Sequence, residues 1–200
     1  MQATEPSSTD AAAAYEAHAT SFLRARDASL VGSRVVAQWA RTLPPGADVL
    51  ELACGGGQPI TQALHEASLR LWAVDSSPTL LAEFARRFPS VTARCEKVQD
   101  SAFFGRRFDA VVAIGLMFLL PEADQIALIG RVAQALRPGG RFLFTAPIEV
   151  GQWTDLNTGL TCLSLGQARC EACLQVHGFR VLATVTDRGG NNHFDAILTG

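Results

Sequence analysis

The chain has 200 residues, 48 % of them apolar and 18 % charged, with a formal net charge of −2. That length holds one domain, or one domain with a small cap, and the composition is that of a globular chain and not a disordered one. The 17 basic and 19 acidic residues form no block of like charge, so the basic stripe of a dedicated nucleic-acid binder is missing, and no apolar run approaches the roughly 20 residues of a membrane span. Met1–Asp10 is polar and has no apolar leader core, so the cytoplasm is the expected location. Five scattered cysteines, an odd count, argue against a disulfide framework. Cys170 and Cys173 form a C-x-x-C, but zinc needs two more ligands. Only Cys162 and His177 lie near in sequence, so ordinary packing thiols and no metal are expected.

In chain order, residues 1–10 read as a disordered tail. Residues 11–45 read as a helical lid, with one helix over Ala11–Asp27 and a second over Ser33–Thr42, stopped by Leu43-Pro44-Pro45-Gly46. From residue 46 to 200 strands and helices alternate. Strands are expected at Asp48–Ala53, Leu71–Asp75, Thr92–Val98, Asp109–Ile114, Arg141–Thr145, Arg180–Thr186 and Phe194–Thr199. Helices open at Pro59, at Ser77-Pro78 with serine as cap and proline at the first helical position, after Pro121, and at Gly166. This alternation implies a doubly wound, Rossmann-like α/β fold with a seven-stranded, mostly parallel sheet. The Asp187–His193 connection is too short for a crossover helix, so the last strand must run antiparallel.

The chemistry starts at Glu51-Leu52-Ala53-Cys54-Gly55-Gly56-Gly57-Gln58-Pro59, where a strand runs into three glycines and then a helix. Glycines there let a ligand approach the backbone at the carboxyl end of the first strand. The dinucleotide pattern G-x-G-x-x-G fails, because Ile60 or Thr61 takes the third glycine's place, and no Gly-Lys-Ser/Thr of a phosphate loop follows. Asp75 ends the second strand 18 residues beyond Gly57, where an acid can take both hydroxyls of a ribose. The combination points to a nucleoside ligand without a pyrophosphate.

These segments resemble the class I S-adenosylmethionine-dependent methyltransferases. Glu51–Gly57 is similar to the family's acidic-x-Gly-x-Gly-x-Gly motif, with Ala53 in the first glycine place. Asp75 matches the acid on the ribose, and Val98-Gln99-Asp100 the segment that brackets the adenine, with Asp100 at the position that takes the amino group. Phe108–Gly115 resembles the strand-four motif, whose end helps hold the methionine part, and Leu136–Phe144 the turn into strand five. The resemblance implies S-adenosyl-L-methionine as cofactor and S-adenosyl-L-homocysteine as product. It implies cofactor contacts from Glu51, Ala53, Cys54, Gly55, Gly57, Asp75, Ser76, Gln99, Asp100 and Ile114, with Tyr15 and Arg24 added from the lid. The chain departs from the family twice. Met117-Phe118-Leu119-Leu120 stands where many small-molecule members carry a histidine, and the Asn/Asp-Pro-Pro-Tyr motif of amino-methylating nucleic-acid enzymes is absent after Gly115.

The expected function is methyl transfer to a small molecule by in-line displacement, with no membrane or nucleic-acid partner and with monomer and homodimer both open. The alternatives are a methyltransferase acting on RNA or protein and a non-catalytic cofactor-binding module. Acceptor contacts are expected from Met117, Phe118 and Trp153. The long Pro147–Leu165 segment, which also carries Asp155 and Asn157, reads as a substrate lid. Of four histidines, His65 and His177 read as structural. His18, on the lid helix with Tyr15, Arg24 and Arg26, and His193 could face the pocket. His193 is the candidate general base, against the simpler reading of a loop histidine satisfied by Asp187.

Overall fold

The computed structural model describes residues 10–199; of the tail expected over residues 1–10, all but Asp10 lies outside them. Three helices come first: α1 (Ala11–Ala17), α2 (Ala19–Asp27) and α3 (Ser33–Ala40). Asp10 caps α1, its carboxylate accepting from Ala12 N at 3.1 Å, and so belongs to the helix. The single helix expected over Ala11–Asp27 is interrupted at His18 (φ −109°, ψ 10°), whose ring Nδ1 lies 2.9 Å from the Ala14 carbonyl oxygen.

The alternating region then follows as β1 (Asp48–Leu52), α4 (Ile60–Glu66), β2 (Arg70–Asp75), α5 (Pro78–Arg87), β3 (Thr92–Cys95), β4 (Phe108–Ala113), α6 (Glu122–Ala135) and β5 (Leu136–Thr145). After a small hairpin, β6 (Val150–Thr154) and β7 (Thr161–Leu165), come α7 (Gly166–Val176), β8 (Phe179–Thr186) and β9 (Asn192–Leu198). The main sheet has the order β3-β2-β1-β4-β5-β9-β8. Strand β9 runs antiparallel to both β5 and β8, and the other pairs are parallel.

The central strands are apolar on both faces because helices cover both sides. Leu50, Leu52, Val111, Phe142 and Phe144 enter one core with α6 and α7, while Val49, Ala110, Val112 and Leu143 enter the other with α3 and α4. Successive residues thus alternate between layers, as the pleat requires. Asp48, buried at the start of β1, accepts from Arg70 at 2.7 Å, Arg106 at 3.1 Å and Arg137 at 3.0 Å, so its charge is paired three times over.

Two strand limits and one element depart most from the sequence reading; the other strand limits move by one or two residues. Strand β3 ends at Cys95, since residues 97–99 turn away and line a cavity, and β5 begins at Leu136 with a register shift against β4. The β6–β7 hairpin lies inside the segment read as unpatterned. All five β6 residues are exposed, so no alternation of apolar and polar residues marks that strand. Among the described residues no helix is long and apolar enough to cross a membrane.

The glycine after β1 that most constrains packing is Gly57. Its φ is +87°, and a Cβ there would fall 2.2 Å from a ring carbon of Phe88. Gly57→Ala is therefore expected to cost roughly 2–4 kcal/mol through left-handed strain and overpacking. Denaturant or thermal unfolding checks this, and an unchanged midpoint contradicts it.

Candidate functional site

Strand order reverses between β1 and β4, and the crevice at their carboxyl ends opens into a cavity of about 970 Å³. Its floor comes from strand ends: Glu51 on β1 with Ala53–Gly56 after it, Asp75 at the end of β2 with Ser76 after it, Ile114 and Gly115 after β4, and Thr145 on β5. Tyr15, Phe22 and Arg26 of the first two helices form one side, and Gln152, Asp155 and Asn157 of the hairpin another.

Asp75 organises the floor. One carboxylate oxygen accepts from Gly55 N at 2.7 Å and the other from Ser77 N at 2.9 Å. Burial raises its pKa, and these backbone donors oppose the rise. Ser77 also caps α5 through Leu80 N, at 3.1 Å. Ala53 takes a left-handed φ of +56°, the conformation that makes glycine the easier residue at that place. Glu51 is buried and accepts from the Thr61 hydroxyl at 2.7 Å; burial pushes its carboxyl up to about 8.

Three acidic residues dock α1 and α2 over this floor. Asp10 pairs with Lys97 at 2.6 Å, Glu16 accepts from Thr79 N at 3.2 Å and from both the Ser77 and Thr79 hydroxyls, and Asp27 takes both ends of the Arg87 guanidinium at 2.7 Å. Phe22 and Leu23 thereby meet the turn, each within contact of a Cβ built on Gly55 or Gly56.

Of the residues expected at the site, Tyr15, Glu51, Ala53, Cys54, Gly55, Asp75, Ser76, Gln99, Ile114 and Phe118 line the cavity. Six do not. Arg24 stands on the exposed face of α2, and Arg26 reaches the cavity instead. Phe22 and Arg26 are four residues apart on one face of α2, the signal that separates Arg26 from Arg24, while Tyr15 reaches the cavity from α1. Gly57 is turned into the layer beneath, against Phe88. Asp100 is exposed beyond the turn whose Lys97, Val98 and Gln99 line the wall. Met117 is 1 % exposed in the core, and Trp153 lies outside Phe118, ring centroids 5.4 Å apart. His193 is buried behind Asp187, its Nε2 3.0 Å from the Asp187 carboxylate, so Asp187 and not the imidazole faces the cavity. Cys170 and Cys173 are buried on α7 in the core.

Arg26, Thr145, Gln152, Asp155, Asn157, Asp187 and Asn191 complete the wall. Arg26 is half-buried, and among the described residues it makes neither an ion pair nor a side-chain hydrogen bond. Burial lowers its pKa, and nearby Glu51 and Asp187 offset part of that.

Glu51 makes a pH dependence measurable. Its folded-state pKa of about 8 lies above the ordinary 4.5, so between these values the folded state holds a proton that the unfolded state has lost. Stability contributed by that proton is present at low pH and lost as pH rises through about 8. Unfolding of wild type and Glu51→Gln from about pH 5 to about pH 9 should show wild type losing stability relative to the variant. Parallel curves contradict this assignment.

The description "Methyltransferase domain" fits residues 49–140 as a family match. An uncharacterized methyltransferase of Synechocystis is 31 % identical over 111 residues, which are 56 % of this chain and 52 % of that protein. A ubiquinone biosynthesis O-methyltransferase of Xanthomonas campestris is 34 % identical over 107 residues, 50 % of this chain and 43 % of its own length. The chain thus spans about half the length of the curated relatives it matches. In fold it is similar to the 1,6-didemethyltoxoflavin-N1-methyltransferase of Burkholderia thailandensis, with TM-score 0.77, 19 % identity and 100 % and 94 % of the two chains covered. It is also similar to the magnesium protoporphyrin IX methyltransferase of Synechocystis, with TM-score 0.73, 16 % identity and 98 % and 99 % covered. Residues 49–140, with the glycine turn facing Asp75, are thus similar to a methyltransferase domain, and the chain shares its fold with these solved methyltransferases.

Proposed function

We propose that the chain binds S-adenosyl-L-methionine in this cavity and transfers its methyl group to a small-molecule acceptor. The observation that carries the reading is the buried Asp75, held by Gly55 N and Ser77 N at the edge of an open glycine turn. Each of its oxygens keeps a lone pair for a further donor, as two ribose hydroxyls require. Gly55 has φ +56°, so the backbone passes close to the ligand without a side chain between them. Gln99 and Val98 offer a wall for the base. Arg26, half-buried and without an ion pair among the described residues, suits the carboxylate of the methionine part.

The cofactor supplies a methyl group already activated on a sulfonium. What remains for the protein is to orient the acceptor in line with it and to exclude water. Phe22, Phe118, Leu119 and Leu163 give the cavity dry walls, and α1 and α2 act as its cover. No residue in the reading forms a covalent intermediate. The curated relatives and the solved neighbours are named for O- and N-methylation alike, so their names do not choose the acceptor atom.

S-adenosylhomocysteine at 100 times its dissociation constant should raise stability by about 2.7 kcal/mol. NAD should leave the melting curve unmoved. Asp75→Ala should abolish most of the shift, and Arg26→Ala should weaken binding by roughly 10- to 100-fold, the worth of one charge-assisted hydrogen bond. Release of S-adenosylhomocysteine with a metabolite mixture but not with RNA supports a small-molecule acceptor. A melting curve moved by NAD and not by S-adenosylhomocysteine contradicts the reading.

A further inference from the structure

The start of α5 is served by two carboxylates from different parts of the chain, Asp75 below and Glu16 above. Ser77 caps the helix, its hydroxyl oxygen accepting from Leu80 N at 3.1 Å. Pro78 follows and has no N–H to satisfy. The next donor is Thr79 N, and its acceptor is Glu16 of α1, at 3.2 Å. Glu16 also accepts from the Ser77 and Thr79 hydroxyls. Part of the α5 cap is thus supplied by the cover.

Glu16 differs here from the other two acids that dock the cover. Asp10 and Asp27 meet cations, Lys97 and Arg87. Glu16 has no ion pair among the described residues. The hydroxyls of Ser77 and Thr79 hold its carboxyl below the ordinary value, so it is an anion at neutral pH. The positive end of the α5 dipole suits such a charge.

Ser77 carries the contact inward. It is fully buried, and its hydroxyl donates to Glu16 while its N–H donates to Asp75 Oδ1 at 2.9 Å. Asp75 Oδ2 accepts from Gly55 N at 2.7 Å, and Ser76, between Asp75 and Ser77, lines the cavity. One residue is therefore held through its backbone by the acid on the floor and through its side chain by the acid on the cover. Glu16 is not among the described residues that line the cavity, so its route to a ligand runs through Ser77. A group that binds well needs its own neighbours fixed, and for Asp75 those neighbours include Ser77.

We propose that Glu16 is a positioning residue: by holding the Ser77 hydroxyl it orients Asp75 toward the ribose of the cofactor, so that docking of α1 completes the cofactor site. This rests on the cofactor reading above.

The test is calorimetric titration of the full chain with S-adenosylhomocysteine. Glu16→Ala should weaken binding about tenfold, the lower end of what a hydrogen bond to a charged group contributes. Glu16→Gln still offers an oxygen to the Ser77 hydroxyl and should stay within about threefold of wild type. Double-mutant cycles then separate positioning from docking. With Ser77→Ala in place, Glu16→Ala should cost less than about twofold, whereas with Thr79→Val in place it should keep most of its cost. A contact that only holds the cover down couples to Thr79 as strongly as to Ser77, and that result overturns the proposal. So does Glu16→Ala binding as tightly as wild type, Glu16→Gln binding as weakly as Glu16→Ala, or a full Glu16→Ala cost in the Ser77→Ala background. Failure of S-adenosylhomocysteine to bind wild type is read first and separately, because it overturns the cofactor reading together with this one.

Discussion

Asp75 stands at the end of β2 with its two oxygens bonded in different directions, to Gly55 N in the turn after β1 and to Ser77 N at the start of α5. Those two bonds tie three elements to one side chain. They fix the glycine turn at the position where strand order reverses, and they seat the capping serine of α5. The arrangement depends in turn on β1 and β2 lying side by side in register, Glu51 against Ala73 and Leu52 against Val74. Apolar side chains on both faces of β1 and β4 set that register. Asp48 does the corresponding work at the other end of the sheet, gathering Arg70, Arg106 and Arg137 so that a buried charge is paired and not orphaned.

The cover is held differently. Helices α1 and α2 contribute few fully buried residues, Ala19 alone among them. Their attachment rests on Asp10, Glu16 and Asp27, all meeting partners on α5 or just after β3. Exposed ion pairs of this kind are individually weak. A cover attached in this way can open without disturbing the sheet beneath it, as the proposed methyl transfer in this cavity requires. The rigid floor and the loosely attached roof thus follow from two kinds of interaction, apolar burial below and surface charge above.

The sheet and its floor were legible because their signals are local. Val49-Leu50-Glu51-Leu52 followed by three glycines marks a buried strand entering a ligand turn, and Ser77-Pro78 marks the start of a helix. The length of Asp187–His193 dictates the antiparallel return. What escaped is what depends on which way a side chain turns in three dimensions. Arg24 and Arg26 differ by two positions, and only the face of α2 shared with Phe22 separates them. His193 lies on the expected rim, but pairing with Thr145 across β5 and β9 places its ring behind Asp187. The β6–β7 hairpin carries no alternation because β6 is exposed throughout, so its two strands read as an unpatterned loop. Gly57 looked like part of the ligand turn, whereas its missing side chain makes room for Phe88.

Amide hydrogen exchange with and without S-adenosylhomocysteine tests the account most directly, because it reads the floor and the cover in one experiment. The account predicts slower exchange on ligand addition at residues 53–57 and 75–77, and across α1 and α2, with little change in α6 and α7. Protection confined to the far side of the sheet, or no change at the glycine turn in the presence of saturating ligand, would contradict it.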